Sequence, residues 1–160
     1  MKPIYNLGNT QTLPYETFTL LPCELLVKQQ SCCISTILGS CVAVCLYDST
    51  QKVGGMNHYM LPVCNGKDVV SPKYGDVAIN NLICKMLNMG CKQSNLQAHI
   101  FGGADVIDTT IFQIGKKNID IAIQILNEKQ ISIVEQNTGG KRGMKINFDI
   151  RTGIVECQFI

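Results

Sequence analysis

The sequence predicts an α+β fold in which layered, β-sandwich-like sheets are flanked by helices. Segments with strand character outnumber those with helix character, and several strands are joined by short turns rather than by strict strand–helix–strand alternation. Two further segments have the apolar spacing of amphipathic helices. The 160 residues suit one domain of ordinary size. We expect that domain over residues 23–160, preceded by an irregular N-terminal arm over residues 1–22.

Apolar and β-branched segments predict the strands. Residues 42–47 are continuously apolar, which is typical of a buried strand. A turn is expected at residues 48–50, and Pro62 ends the strand that returns from it. The strands expected from these patterns cover residues 25–29, 34–38, 42–47, 52–61, 97–101, 131–136, 145–150 and 153–159.

Two helices are expected, over residues 74–89 and 114–128. Gly90 ends the first, because glycine readily adopts the backbone conformation that follows a helix. Each helix has one apolar face that should pack on the sheets. The residues expected to face inward are Val77, Ile79, Leu82, Ile83, Met86 and Leu87 in the first helix, and Ile119, Ala122, Ile123 and Leu126 in the second.

Charge and hydropathy exclude two classes of partner. The net charge of +2 is small and the basic residues form no stripe, which argues against nucleic acid binding. No apolar run approaches the roughly 20 residues that cross a bilayer, so membrane insertion is not expected. The N-terminal residues lack the apolar core of a signal peptide, and we therefore expect a cytoplasmic protein.

The nine cysteines are an odd number without any CxxC pair. This pattern favours a reducing compartment, in which most thiols are small buried apolar groups. It argues against a zinc site and against a thiol oxidoreductase. A catalytic role for any one cysteine therefore needs further support.

Cys41 and His58 form the candidate reactive pair. Cys41 follows Gly39-Ser40 at the mouth of a strand, where backbone N–H groups could stabilise an oxyanion. His58 comes 17 residues later, on the returning strand. A reversal at residues 48–50 would pair the two strands antiparallel and place both side chains at the same end, opposite one another within a residue or two.

The chemistry of a thiol explains why a histidine is needed. A free thiol has a pKa of about 8.5, so little is thiolate at pH 7. An imidazole can take the proton, hold the thiolate as an ion pair, and later protonate a leaving amine. Ser35, Thr36 or Asn57 could orient the imidazole. Spacing alone is a weak signal, because His58 could equally be a strand residue bonded to a carbonyl; His99 is expected to be structural or at the surface.

Two motifs surround the candidate pair: LGSCVAV at residues 38–44 and GGMNHYMLP at residues 54–62. They resemble the signature of the CheD family of chemoreceptor glutamine deamidases. The similarity covers roughly residues 25–160 in the order of the family. Further similar segments are Lys73-Tyr74-Gly75-Asp76 with Ala78-Ile79, Phe101-Gly102-Gly103-Ala104, Ile114-Gly115 with Asn118, and Thr138-Gly139-Gly140 with Gly143, Phe148 and Thr152-Gly153.

The resemblance implies a fold and an activity. The fold is a β-sandwich flanked by helices, similar to certain bacterial toxin deamidases. The activity is hydrolysis of glutamine side-chain amides on methyl-accepting chemotaxis receptors, through a cysteine thioester and without a metal or organic cofactor. The nucleophile and base correspond to Cys41 and His58. The third member, normally threonine, lies six positions before the cysteine, at Ser35, and we expect the adjacent Thr36 to face the other side of its strand.

Two departures and one alternative accompany the resemblance. Asn57 replaces a small residue before the histidine, and Met144 stands where arginine is common. Either difference could alter substrate or partner preference. Hydrolysis of methyl esters by the same acyl-thioester chemistry stays open. The alternative function is a non-catalytic chemotaxis regulator that binds receptors and a CheC-type phosphatase, and such a phosphatase is an expected partner in either case.

Overall fold

The structure, a computed structural model, describes residues 15–66, 68–106 and 113–160. Within these ranges it has nine strands and two α-helices. The strands are β1 Glu16–Thr19, β2 Leu25–Lys28, β3 Cys32–Leu38, β4 Val42–Asp48, β5 Val53–Asn57, β6 Gln97–Gly102, β7 Ser132–Thr138, β8 Met144–Asp149 and β9 Ile154–Phe159, and the helices are α1 Gly75–Asn88 and α2 Ile114–Glu128.

The strands form two sheets. A five-stranded sheet has the order β2-β5-β4-β6-β7, and a four-stranded sheet has the order β1-β3-β8-β9. Strands β1 and β3 are parallel, as are β6 and β7, and the remaining neighbours are antiparallel. The predicted class, with layered sheets and flanking helices, is confirmed.

Strand β4 lies at the centre of the molecule and has both faces buried. Val44 and Leu46 point into an apolar core under α1 and α2. Ala43 and Cys45 point the other way, into a second core against Phe148 of the four-stranded sheet. Burial on both faces explains why the strand is apolar at every position rather than at alternate ones. The layers are therefore helices, five-stranded sheet and four-stranded sheet.

The two helices cover the five-stranded sheet with most of the residues that the apolar spacing predicts. In α1, Leu87 is exposed and Val77 is only partly buried, whereas the other four expected residues are buried. In α2, Ala122 and Leu126 are buried as expected, but Ile119 and Ile123 are only partly buried and Ile125 replaces them in the core. The bounds of α2 are those predicted. Neither helix in the described part of the chain is long and apolar enough to cross a membrane.

Strand β5 is shorter than predicted, because the regular ladder stops just before His58. The side-chain oxygen of Asn57 accepts the N–H of Val44 at 2.8 Å, in place of the main-chain carbonyl that a regular antiparallel pair would offer. On the opposite edge of the chain, the N–H of His58 donates to the carbonyl of Glu24, the residue before β2, at 3.1 Å. Asn57 therefore shapes the backbone beside His58 and does not orient its ring.

Part of the expected irregular arm is a strand. Residues 16–19 form β1, which pairs in parallel with β3 from Glu16 opposite Cys32 to Thr19 opposite Ser35. Leu20, which follows, is buried in the core between the sheets. The arm is expected to be irregular because it is rich in threonine, proline and tyrosine, whereas the structure shows that residues 16–19 pair with the edge of β3. Residues 1–14 lie outside the described residues.

Gly102 allows the end of β6 to approach the backbone of Cys41. Its φ is +101°, in the left-handed region that favours glycine, and a Cβ there would collide with the carbonyl oxygen of Cys41. The next residue, Gly103, donates its N–H to that same carbonyl at 2.8 Å. The glycine pair therefore fixes where the backbone of Cys41 lies.

Gly102→Ala should destabilise the protein more than Gly90→Ala does. Gly90 has a similar φ of +94° but open space around it, so that control carries only the backbone strain, about 1 kcal/mol. The collision at Gly102 should add at least about 2 kcal/mol. Urea unfolding of both variants measures the difference, and equal free energies of unfolding would contradict the close approach.

Candidate active site

Cys41 and His58 lie on the same face of the five-stranded sheet. Val42 and Tyr59 form a bridge with both backbone hydrogen bonds, at 3.1 and 3.0 Å. In this antiparallel register Ala43 is opposite His58, and Cys41, two residues before Ala43, is its diagonal neighbour on that face. The predicted reversal and the placement of both residues at one end of the hairpin are confirmed. Their shared face is the one that packs on the four-stranded sheet.

The ring of His58 is held from the opposite sheet by Thr36. His58 Nδ1 lies 2.7 Å from the hydroxyl oxygen of Thr36, and that hydroxyl donates to the carbonyl of Leu20 at 2.9 Å. A hydroxyl has a single proton and a carbonyl can only accept, so Thr36 must accept from Nδ1–H. In the neutral imidazole this leaves Nε2 as the unprotonated nitrogen.

Ser35 does not contact His58, which corrects the sequence-based assignment of the third residue. Its hydroxyl donates to the carbonyl of Ile146 at 3.1 Å. Side chains alternate along a strand, and Thr36 shares the inward face of β3 with Ile34 and Leu38, both in the core between the sheets. Counting back from Cys41 therefore selected the wrong face, whereas the buried neighbours at positions 34 and 38 could have identified Thr36.

Cys41 is half-buried and follows the exposed Ser40. Burial raises the pKa of its thiol above the ordinary value, and the nearby thiol of Cys23 adds to the increase, while the backbone N–H of Cys41 itself partly opposes it. The turn before the thiol is fixed by two hydrogen bonds, from Gly103 to the carbonyl of Cys41 and from Ala104 to that of Gly39. The thiol is thus presented at the surface end of β4 on a rigid turn.

The imidazole of His58 is kept neutral by burial. Desolvation lowers its pKa to about 4, and the carboxylate of Glu24 opposes this only in part. Its side chain is 3% exposed, and Nε2 is buried without a hydrogen-bond partner among the described residues. The expected thiolate–imidazolium ion pair and its hydrogen bond to Cys41 are therefore not formed in the free protein, in which both groups favour their neutral forms.

Asn118 of α2 connects the two halves of the site. Its side-chain amide donates to the carbonyls of Ser40 and Met60, at 3.0 and 2.9 Å, and it is fully buried. Apolar spacing treats α2 as a face of isoleucine and leucine, so it did not single out Asn118 for the site. Two signals were available: its place in the segment with Ile114-Gly115 that resembles the family, and its polar side chain within an otherwise apolar helical face.

His99 lies apart from these contacts. Its Nδ1 is 2.8 Å from a carboxylate oxygen of Glu135, and the side chain is mostly buried. This pairing agrees with the expected structural role. Across the described residues no group of three or more histidine, cysteine or acidic side chains is arranged to hold a metal ion.

The fold and the site define a class: α+β proteins with two sheets stacked under a helical layer, in which a cysteine thiol and a threonine-held imidazole share one sheet face. The chain belongs to the CheD family. The family model described as CheD chemotactic sensory transduction matches residues 60–159. That match begins after Cys41 and His58. Similarity over the segment that contains these two residues is therefore judged from relatives that align over more of the chain.

Two curated relatives align over most of this chain. A protein of Sulfurimonas denitrificans, named probable chemoreceptor glutamine deamidase CheD, is 42% identical over 151 residues, which cover 92% of this chain and 97% of the relative. A protein of the same name from Trichlorobacter lovleyi is 41% identical and covers 89% of each chain. Alignments of this extent span the segment that contains Cys41 and His58.

Solved structures give a weaker likeness. Bacillus licheniformis hypothetical protein YfiH has a TM-score of 0.48 at 14% identity, over 73% of this chain and 51% of that one. Neisseria meningitidis protein NMB0706 has a TM-score of 0.46 at 11% identity, over 73% of this chain and 53% of that one.

His58 should make the protein less stable in mild acid. Its pKa is lowered from 6.5 to about 4, so between these values the unfolded chain binds a proton that the folded chain excludes. Stability from this group is complete above pH 6.5 and falls as the pH drops, by roughly 2 kcal/mol at pH 4.5. Urea unfolding at pH 7 and pH 4.5 should show this loss in the wild type and a smaller loss in His58→Gln. An identical pH dependence in the two proteins would contradict the buried neutral imidazole.

Proposed function

We propose that the chain hydrolyses glutamine side-chain amides of chemotaxis receptors to glutamate. Cys41 is the nucleophile, His58 the general base and acid, and Thr36 the residue that orients His58. One observation carries the proposal: the contact of Thr36 with Nδ1 leaves Nε2 unprotonated and unpartnered, on the strand face that also carries Cys41. The name shared by the two relatives, probable chemoreceptor glutamine deamidase, supports the choice of substrate.

The reaction starts from the neutral pair. As the sulfur of Cys41 bonds to the amide carbon of glutamine, Nε2 of His58 takes the thiol proton. The imidazolium then gives this proton to the amide nitrogen, the C–N bond breaks, and ammonia leaves a thioester. Water attacks the thioester with His58 as base, the C–S bond breaks, and the proton returns to the sulfur. The products are glutamate and the original thiol.

A buried neutral base suits this series of reaction steps. Desolvation disfavours an imidazolium in the free protein. The positive charge on His58 therefore develops only when Cys41 attacks the substrate. The hydrogen bond to Thr36 keeps the ring in the tautomer that can accept a proton at Nε2 throughout the cycle. Because the hydroxyl of Thr36 donates its own proton to Leu20, it stays in place as the acceptor for Nδ1–H.

Backbone N–H groups of Ser40 and Cys41 are the proposed oxyanion donors. Among the described residues neither group donates to a backbone carbonyl, and the N–H of Cys41 lies close enough to its own sulfur to stabilise negative charge there. Donors aimed at the charge that develops during attack are worth more than donors that bind the ground state. A free pair of N–H groups beside the nucleophile meets this requirement.

The partners in this proposal are the receptors, as substrates, and a CheC-type phosphatase, as a regulator, with the cytoplasm as the compartment. The first follows from the relatives' name, and the second rests on the family alone. Because a binding role would not require the thiol, Cys41→Ala separates the two: it should abolish deamidation and leave phosphatase binding intact.

Incubation of receptor cytoplasmic fragments with the wild-type protein should raise the mass of specific glutamine-containing peptides by about 1 Da per site, since NH₂ is replaced by OH. Cys41→Ala should give no increase. Cys84→Ala, which removes an exposed thiol on α1, should behave as the wild type. Peptide mass spectrometry detects the change, and a mass gain that persists in Cys41→Ala would rule out Cys41 as the nucleophile.

Thr36→Val should reduce kcat/KM by roughly tenfold to a hundredfold, because the shape is retained while the hydroxyl that holds Nδ1 is lost. Ser35→Ala is the matched control. It removes the hydroxyl of the adjacent residue, which among the described residues donates to the carbonyl of Ile146 and not to His58, and it should change kcat/KM by less than about threefold. Rates of ammonia release compare the variants, and a larger loss in Ser35→Ala would restore Ser35 as the third residue.

A further inference from the structure

We propose that Asn118 is a positioning residue, which holds the backbone of Cys41 and the segment after His58 in a fixed relation by bonding to both through one amide group. The proposal deepens the proposed function. It rests on that function because it takes Cys41 as the nucleophile and His58 as the base. Asn118 contacts no reacting atom, so it acts through the two segments that it joins.

The amide of Asn118 reaches two segments that are far apart in the sequence. Nδ2 donates to the carbonyl of Ser40 at 3.0 Å and to the carbonyl of Met60 at 2.9 Å. Ser40 immediately precedes the nucleophile, and Met60 comes two residues after the base. The two protons of a single NH₂ group therefore link the loop that carries the thiol to the end of the strand that carries the imidazole.

The contact with Ser40 also orients the N–H of Cys41. The carbonyl of Ser40 and the N–H of Cys41 belong to one planar peptide unit. Fixing the carbonyl therefore fixes the direction of the N–H on the opposite side, which is one of the proposed oxyanion donors. A hydrogen bond at the carbonyl also polarises the peptide and strengthens its N–H as a donor.

The orientation of the amide is determined by its surroundings. Carbonyl oxygens only accept, so the group that faces both of them must be NH₂, and a flipped amide would place three oxygens together. The helix backbone adds a further link, because the hydroxyl of Tyr59 donates to the main-chain carbonyl of Asn118 at 2.6 Å. This residue of α2 is thus joined to the chain on both sides of the site.

The other end of the amide indicates that Asn118 is not optimised for stability alone. Its side-chain oxygen is buried and has no hydrogen-bond partner among the described residues. A buried polar atom without a partner costs free energy and calls for an explanation. The explanation that fits the contacts is that two donors on one rigid group are needed at this point, and the unsatisfied oxygen comes with them.

The experiment compares Asn118→Ala with Ile125→Val. Ile125 lies two turns further along α2 and faces the same core, so its shortening lowers stability without touching Ser40 or Met60. The first readout is kcat and KM for deamidation of a receptor fragment. Asn118→Ala should lower kcat by roughly tenfold to a hundredfold with KM within about threefold, because misplacement acts on the reacting geometry. Ile125→Val should keep both constants.

The second readout does not depend on deamidation. The rate at which iodoacetamide alkylates Cys41 is measured against pH, with the exposed Cys84 as the internal reference. Burial raises the pKa of the Cys41 thiol, and a loosened turn should expose it. The midpoint of alkylation should therefore move to lower pH in Asn118→Ala and stay in place in Ile125→Val.

Each outcome decides the proposal. If the wild type is active, a kcat loss in Asn118→Ala no larger than that in Ile125→Val overturns it. If the wild type deamidates no receptor fragment, the proposed function fails. In that case the alkylation readout decides the positioning role separately, and an unmoved midpoint in Asn118→Ala overturns it. Should circular dichroism show that Asn118→Ala is unfolded, Asn118→Ser takes its place under the same criteria. Its one hydroxyl donor should give a smaller loss of kcat.

Discussion

The hydrogen bond between Thr36 and His58 joins the two sheets at the site, and the proposed chemistry depends on it. Thr36 belongs to the four-stranded sheet, and His58 follows a strand of the five-stranded sheet. Only when the sheets are stacked does the hydroxyl reach Nδ1 and leave Nε2 free. The orientation of the His58 ring therefore depends on the stacking of the two sheets. If the sheets packed loosely, the hydrogen bond from Nδ1 to Thr36 would be lost.

Burial determines the protonation states of Cys41 and His58 in the free protein. The pKa of the Cys41 thiol is raised and that of the His58 imidazole is lowered, and desolvation is the first cause of both shifts. Opposite shifts favour the neutral thiol and the neutral imidazole in the free protein. This arrangement differs from the standing ion pair expected from residue types alone, since residue types carry no information about how much water surrounds them.

Local patterns in the sequence were sufficient for both helices and for most strands. The continuous apolar run of β4 and the turn after it correctly predicted the antiparallel hairpin, and with it the placement of Cys41 and His58 at the same end. The elements that were missed have long-range causes. Strand β1 is a strand because the edge of β3 pairs with it, and its own residues carry only a weak signal.

The sequence by itself determined the fold class and the hairpin that places Cys41 and His58 at one end, because apolar periodicity and short-range turns act over neighbouring residues. The choice of these two residues as the candidate pair came from the family resemblance. The tertiary structure decided which polar residues contact the pair. Thr36 replaced Ser35 because the stacking of two sheets sets which side of β3 is inside, and Asn118 joined the site because α2 crosses the ends of two strands. The carbonyl of Leu20 accepts the hydroxyl of Thr36. This contact also depends on long-range pairing, because β1, which precedes Leu20, pairs with β3. Contacts between distant segments depend on packing, which no local pattern encodes.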